Sequence, residues 1–232
     1  MFKSEIYKLF KYKAFWIILC LEIAVSVLVA LITAPKDLTT VLVSLDSATS
    51  LFLVFLVNTI ARHDFQEGTM KNIIASGIKR SAVFRAKLFT SYIAGILLLA
   101  VDGAIKIVVA FVKGATFQGD IVNVLISVAL QILMILLYAS MFFSFSYLLY
   151  KGPWGMLISL FIALFSTSVL AVFDFFFKLP FQLHVFTIGN IAEVASKMVY
   201  NLDTLIPVGV STLLTCAVTI LVYAVTAKRE IK

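Results

Sequence analysis

The sequence predicts an all-α membrane protein built on six transmembrane helices, and three observations carry that prediction. Of 232 residues, 62% are hydrophobic and only 13% are charged, against an apolar share of roughly 45–50% in soluble domains. The apolar residues gather in runs of roughly twenty, the length that crosses a hydrocarbon core of about 30 Å. The 19 Lys and Arg residues outnumber the 12 Asp and Glu residues, and they cluster on alternate connections between the runs. The first observation excludes a soluble globular enzyme. The second leaves little chain for a folded aqueous domain, so residues 1–232 read as one transmembrane domain.

Phe2, Ile6, Leu9 and Phe10 stand at i, i+4, i+7 and i+8, with Lys3, Ser4, Glu5, Lys8 and Lys11 on the remaining surface. Residues 1–13 are therefore expected to form a helix lying in the membrane interface; a basic flank that only fixes orientation is the alternative. Spans follow at 14–33, 41–61, 88–112, 122–149, 154–173 and 205–227. The apolar run of the first is too long for the core of a cleavable signal peptide.

With six crossings both termini share a side. Placing the termini, the segment 62–87 and the turn 150–153 together collects fourteen basic residues on that side, while Lys36, Lys113, Lys178 and Lys197 fall on the other and Lys106 lies within a span. The positive-inside rule then puts both termini in the cytoplasm. Trp16, Tyr92, Tyr147, Tyr150, Trp154 and Tyr223 all fall near cytoplasmic helix ends, the level that amphipathic rings prefer. The formal charge of +7 is thus a topology signal, and no nucleic-acid partner is needed. Cys20 and Cys216 lie in apolar runs, where cysteine acts as a small buried hydrophobe, so neither a disulfide scaffold nor a metal cluster is indicated.

The connection 62–87 is far longer than a helix pair needs. Gly68 and Gly77 bracket a short segment in which Met70, Ile73 and Ile74 share one helical face, as expected of a single surface helix with flexible ends that docks on a cytoplasmic partner. A solvated basic loop is the alternative, but it leaves the apolar positions unexplained. Glu67-Gly68-Thr69, an apolar pair, then Gly77-Ile78-Lys79-Arg80 and Lys87 resemble the first cytoplasmic loop of the ABC-2 family of transporter permeases. Lys79 stands where that family commonly has a small or polar residue. The resemblance extends more loosely to the amphipathic start, the six spans and the extended segment before the sixth. It implies that the loop carries the coupling helix that contacts an ATP-binding-cassette ATPase subunit, with Asp64, Phe65, Glu67, Gly68, Thr69, Met70, Ile73, Ile74, Gly77 and Arg80 as coupling residues. The small size resembles the branch that exports, or confers immunity to, antimicrobial peptides such as lantibiotics.

Between the fifth and sixth spans, residues 174–204 form an outer segment. Phe181, Val185, Ile188, Ala192, Ala195 and Val199 recur every three or four residues opposite Gln182, Asn190, Glu193 and Lys197, so an amphipathic helix on or dipping into the outer leaflet is expected. ABC-2 permeases carry short re-entrant helices here that narrow the exit, which implies that Phe181, Val185 and Ile188 line an outer gate; a plain interfacial helix is the alternative. Glu22, Asp102 and Lys106 lie inside spans, where a charge costs a few kcal/mol, about 2.5–3.5 on the lenient scale. Asp102 and Lys106 stand in the favourable i, i+4 order for an intrahelical pair, which makes them either structural or part of a substrate pathway. Glu22 faces a cavity and attracts a cationic group, or it snorkels or is protonated.

No G-x-x-x-x-G-K-[ST] phosphate cradle, H-E-x-x-H pair or G-x-S-x-G elbow occurs, so the chain is not expected to be an enzyme or to hold a cofactor; ATP and Mg²⁺ belong to the partner. The resemblance implies a permease subunit in a bacterial plasma membrane, paired with a second copy or a homologous permease. Membrane lipid surrounds it, and it moves an amphipathic peptide, lipid-like or hydrophobic compound outward. An energy-independent transporter, a substrate-capturing subunit or an immunity protein is the rival. The first of these rivals should show inverted repeats, and none is evident.

Overall fold

The computed structural model describes residues 2–33, 38–43, 47–117, 119–177 and 182–228. They are all-helical: α1 (Phe2–Lys11), α2 (Lys13–Thr33), α3 (Leu38–Val43), α4 (Ser47–Gln66), α5 (Thr69–Ala75), α6 (Arg80–Val112), α7 (Ile121–Leu148), α8 (Trp154–Phe177), a 3₁₀ turn at Leu183–Phe186, α9 (Ile188–Lys197) and α10 (Leu202–Lys228). Five of these helices, α2, α6, α7, α8 and α10, are long and apolar enough to cross a membrane, an architecture compatible with a multi-pass membrane protein. Each corresponds to one expected span.

The expected span 41–61 is shared between α3 and α4, with residues 44–46 outside those described. α4 carries Asn58, Arg62, His63 and Asp64 along its second half, and this polarity keeps it below the hydropathy of the other five. The expected 62–87 loop also contracts. α4 continues to Gln66 and α6 begins at Arg80, because Asp64, Val83, Phe84, Ala86 and Lys87 are all buried and helical geometry brings them onto packed faces. The true connection is residues 67–79, with α5 inside it.

α7 is the central helix and packs against α4, α6, α8, α9 and α10. Its Tyr138, Phe142, Phe143 and Tyr147 are buried, and Phe84 of α6 meets Phe143 edge to face at 5.0 Å. α8 crosses close to α7 through small residues. A Cβ on Gly155 would lie 2.7 Å from the backbone of Ser146, and Ser146 and Ser159 are fully buried, the small-residue contact expected where helices associate in lipid. The outward faces of α2, α8 and α10 expose Leu28, Phe161 and Leu213, suited to hydrocarbon. Cys20 and Cys216 sit on such exposed faces rather than inside the bundle, a correction to their expected burial.

Several hydroxyls within the bundle are paired locally, although those of Ser144 and Ser146 are buried without a hydrogen-bond partner among the described residues. On α10, Thr212, Thr215, Thr219 and Thr226 each donate to a carbonyl four residues back, so they add no unpaired hydroxyl to an apolar environment. Lys113, just past α6, donates to the carbonyls of Ala30 and Leu31 at 3.1 and 2.8 Å. It thereby satisfies the carboxyl end of α2, where a cation is favoured.

α1 departs from its expected orientation. Glu5 and Leu9 are buried, while Phe2 and Phe10 are exposed. The helix turns its i, i+4 Glu5–Leu9 stripe toward α6 because Glu5 finds cations there, as described below.

Candidate functional site

Around the connection between α4 and α6, three of the six buried charged side chains among the described residues, Glu5, Asp64 and Lys87, gather at one end of the bundle. Lys87, on the second turn of α6, is 0% exposed. Its ammonium donates to the carbonyl of Ile60 at 2.8 Å and pairs with Asp64 at 2.8 Å and Glu5 at 3.6 Å. Lys8 of α1 pairs with Glu5 at 2.8 Å and with Asp64 at 3.1 Å. The hydroxyl of Thr69, the first residue of α5, donates to the Asp64 carboxylate at 3.2 Å. Two ammonium groups thus balance two carboxylates, and four helices (α1, α4, α5 and α6) meet in one network.

Asp64 and Lys8 are held in their ionised forms by the charges around them. Burial alone favours the neutral Asp64 carboxyl, but Lys87 and then Lys8 outweigh it and hold Asp64 below the ordinary carboxylate range. Burial likewise disfavours the Lys8 ammonium, but the hydrogen bonds and charges of Glu5 and Asp64 hold it above its ordinary value. Burial, reinforced by Asp64, Glu5 and Glu67, pushes the nearby Tyr12 phenol upward. Its ring lies edge-on to His63 at 4.3 Å.

The expected coupling residues divide by this geometry. Gly68 takes a left-handed conformation (φ 69°) as the residue before α5, and Gly77 does the same after it (φ 86°); within this connection these are the places where the backbone turns sharply and a side chain would be strained. Between them Met70 is 2% exposed and lies in the main core, and Ile73 and Ile74 pack against that core half-buried. The apolar face of α5 is therefore turned into the chain's own bundle, so Met70, Ile73 and Ile74 are packed inside rather than presented on the surface. Outward it presents the polar Lys71 and Asn72 beside the small Ala75, flanked by exposed Glu67 and Ser76. Phe65 stacks on Tyr150 at 4.3 Å and meets Tyr147 edge-on at 5.1 Å, tying α4 to the turn before α8. Arg80, half-buried, opens α6.

Within the bundle, Lys106 and Asp102 form the expected i, i+4 pair at 2.8 Å. Ser26 of α2 donates to the other carboxylate oxygen at 2.7 Å. Glu22, one turn away on the same face of α2, is 1% exposed and accepts from Thr49 of α4 at 2.7 Å. All three ionisable groups are buried; Asp102 joins α6 to α2 and Glu22 joins α2 to α4, while Lys106 pairs with Asp102 along α6.

At the opposite end, α9 crosses α7 and α10. Asp174, at the end of α8, accepts from the backbone of Leu183 and His184 at 2.9 and 3.0 Å and pairs with the His184 ring at 2.7 Å. Ser127 of α7 meets the Ala195 carbonyl and the Tyr200 hydroxyl. The buried face of α9 is Ile188, Ile191, Val194 and Ala195, rotated from the expected stripe. Asn190, expected outside, is buried and donates to the carbonyl of Val185 at 2.9 Å. Of the three expected gate residues, Ile188 lines a largely apolar cavity of about 210 Å³ with Met141, Ser211 and Leu214. Val185 lies in the 3₁₀ turn beside a separate polar cleft, and Phe181 lies outside the described residues.

Glu5, Lys8 and Lys87 did not stand out in sequence as site residues. The available signal was a single acid on a basic amphipathic helix, with Asp64 and Lys87 at matching depths on two adjacent antiparallel helices. Among the described residues no group of three or more His, Cys, Asp or Glu is placed to hold a metal ion. No known family model matches the sequence, and no curated protein matches it.

Proposed function

We propose that this chain is the permease subunit of an ATP-binding-cassette exporter, with the α1–α5 end in the cytoplasm and a separate ATPase subunit docked on the outward face of α5. The single observation that carries this reading is the way α5 is held. It is a short helix between two left-handed glycines, apolar inward and polar outward, hydrogen-bonded through Thr69 to a buried ion network that also grips α1, α4 and α6. A solvated connecting loop has no use for such an anchorage, whereas a surface that receives a mechanical push needs it. Force on Glu67, Lys71 or Asn72 passes through Asp64 and Lys87 into α6, and four helices move as one rigid body. ATP and Mg²⁺ are held by the partner.

The bundle pairs with a second copy or a homologous permease in a bacterial plasma membrane. The moved compound is an amphipathic peptide or a lipid-like hydrophobic molecule, and its path runs between two bundles toward the α9 end. There the 3₁₀ turn and α9, pinned by Asp174 and Ser127, form the closing element, with Val185 and Ile188 on it. The test is affinity purification of the chain from its native membrane in mild detergent, with mass spectrometry of the proteins that accompany it. An ATP-binding-cassette subunit in stoichiometric yield supports the reading. Its absence, under conditions that preserve other such complexes from the same membrane, returns the function to the energy-independent readings.

A further inference from the structure

The geometry points to a binding site for one anionic phospholipid in the cleft between the beginnings of α1 and α6. This cleft, about 580 Å³ and open on one side, is lined by Phe2, Ala82, Arg85, Ala86 and Phe89. Its walls are two phenyl rings that meet edge to face at 6.3 Å, yet Phe2 is 43% and Phe89 54% exposed, so the rings frame a space that the chain itself does not fill. Ala82 and Ala86 leave the floor low. The Nε of Arg85 donates to the carbonyl of Ser81 at 3.3 Å, which holds the stem of the guanidinium along α6. Among the described residues its terminal nitrogens have no acidic partner.

Charge complementarity and depth identify the occupant. The cleft holds one guanidinium and no acid. The exposed Lys3 adjoins Phe2, and the nearest acid of α1, Glu5, is committed to Lys8 and Lys87. Arg85 and Phe89 are one turn apart on α6, about 6 Å along the axis. That spacing matches the step from a headgroup phosphate to the start of the acyl chains, since an interfacial helix buries its apolar face about 5–10 Å. A phosphate at Arg85, with an acyl chain running past Ala86 and over the exposed faces of the Phe89 and Phe2 rings, satisfies both ends of the cleft. This rests on α1 lying in the interface beside a membrane-spanning α6, and not on the ATPase partner.

The test is native mass spectrometry of the delipidated full-length chain in detergent, titrated with phosphatidylglycerol and phosphatidylcholine of identical acyl chains. One phosphatidylglycerol should bind about fivefold more tightly than phosphatidylcholine, the scale of one basic contact at a lipid surface. Arg85→Gln should reduce the preference below about twofold. Arg85→Lys should keep most of it, and Ala82→Leu, which fills the floor without touching charge, should weaken both lipids together. Lys151→Gln, a basic residue outside the cleft, should change nothing. Equal affinity for the two lipids overturns the inference, as does a preference that survives Arg85→Gln. A dimer in the same spectra that requires Phe2 and Phe89 and excludes the lipid also overturns it, by assigning the cleft to a second copy. Loss of the ATPase partner in a separate experiment leaves these outcomes unaffected.

Discussion

Replacing Lys87 with Met keeps an unbranched side chain of nearly the same length and removes its charge and its hydrogen-bond donors. In the native fold this ammonium is fully enclosed, 2.8 Å from the Ile60 carbonyl and 2.8 Å from Asp64. Its loss leaves two buried carboxylates, Asp64 and Glu5, to share Lys8. Breaking one side of such a pair costs about 3–5 kcal/mol, and the stranded carbonyl adds to the same deficit. The double variant Asp64→Asn with Lys87→Met removes opposite charges together and should lose less than the single Lys87→Met. The assay is detergent-driven equilibrium unfolding of the purified chain in mixed micelles, supplemented by trypsin digestion. Once α1 is released from the network, cleavage at Lys8 and Lys11 should precede loss of the bundle. A cost below about 1 kcal/mol for Lys87→Met, within the range of exposed pairs, would refute the buried-network reasoning, as would a double variant equal to the sum of its singles.

The same network sets a pH response. Asp64 is held below its ordinary 3.8 and Lys8 above its ordinary 10.5. The Asp64 contribution is therefore complete above pH 3.8 and lost as pH falls through its lower folded value. The Lys8 contribution is complete below 10.5 and lost as pH rises through its higher folded value. Thermal stability in detergent should be flat between these limits, and Asp64→Asn should abolish the acid limb; an acid limb unchanged in that variant would assign it elsewhere. Inside the bundle, Asp102→Asn or Lys106→Met alone should reduce the yield of folded chain, with the double variant partly restored, as size-exclusion profiles would show; equal yields from singles and double would count against a buried pair. Gly155→Ala places a Cβ 2.7 Å from the Ser146 backbone. It should cost about 1–3 kcal/mol by forcing α7 and α8 apart, read as a lowered unfolding midpoint, whereas an unchanged midpoint would mean the helices are not in close contact.

The long apolar helices were legible in sequence because composition and the length of a bilayer crossing constrain them directly. The expected second span was less so, since Asn58 to Asp64 continue a helix past the point where apolar character ends. The Asp102–Lys106 pair followed from i, i+4 spacing, a local rule. The junction of Glu5, Lys8, Asp64 and Lys87 did not, because it joins residues far apart in the chain and depends on how α1 is rotated. Helical periodicity places Glu5 with the other polar residues, and only the buried ammonium of Lys87 on α6, with Lys8 beside it, explains why it turns inward. Met70, Ile73 and Ile74 illustrate the same limit: their shared face was evident, but periodicity cannot tell whether an apolar face seeks a partner or the chain's own core.

The most direct measurement is photo-crosslinking from the outward face of α5 in native membranes. A photoreactive phenylalanine analogue at Lys71 or Asn72 should crosslink to an ATP-binding-cassette ATPase in a nucleotide-dependent way, while the same group at lipid-facing Leu28 should not. If neither α5 position captures an ATPase while the chain is folded and inserted, α5 is not a coupling helix and the permease reading is wrong.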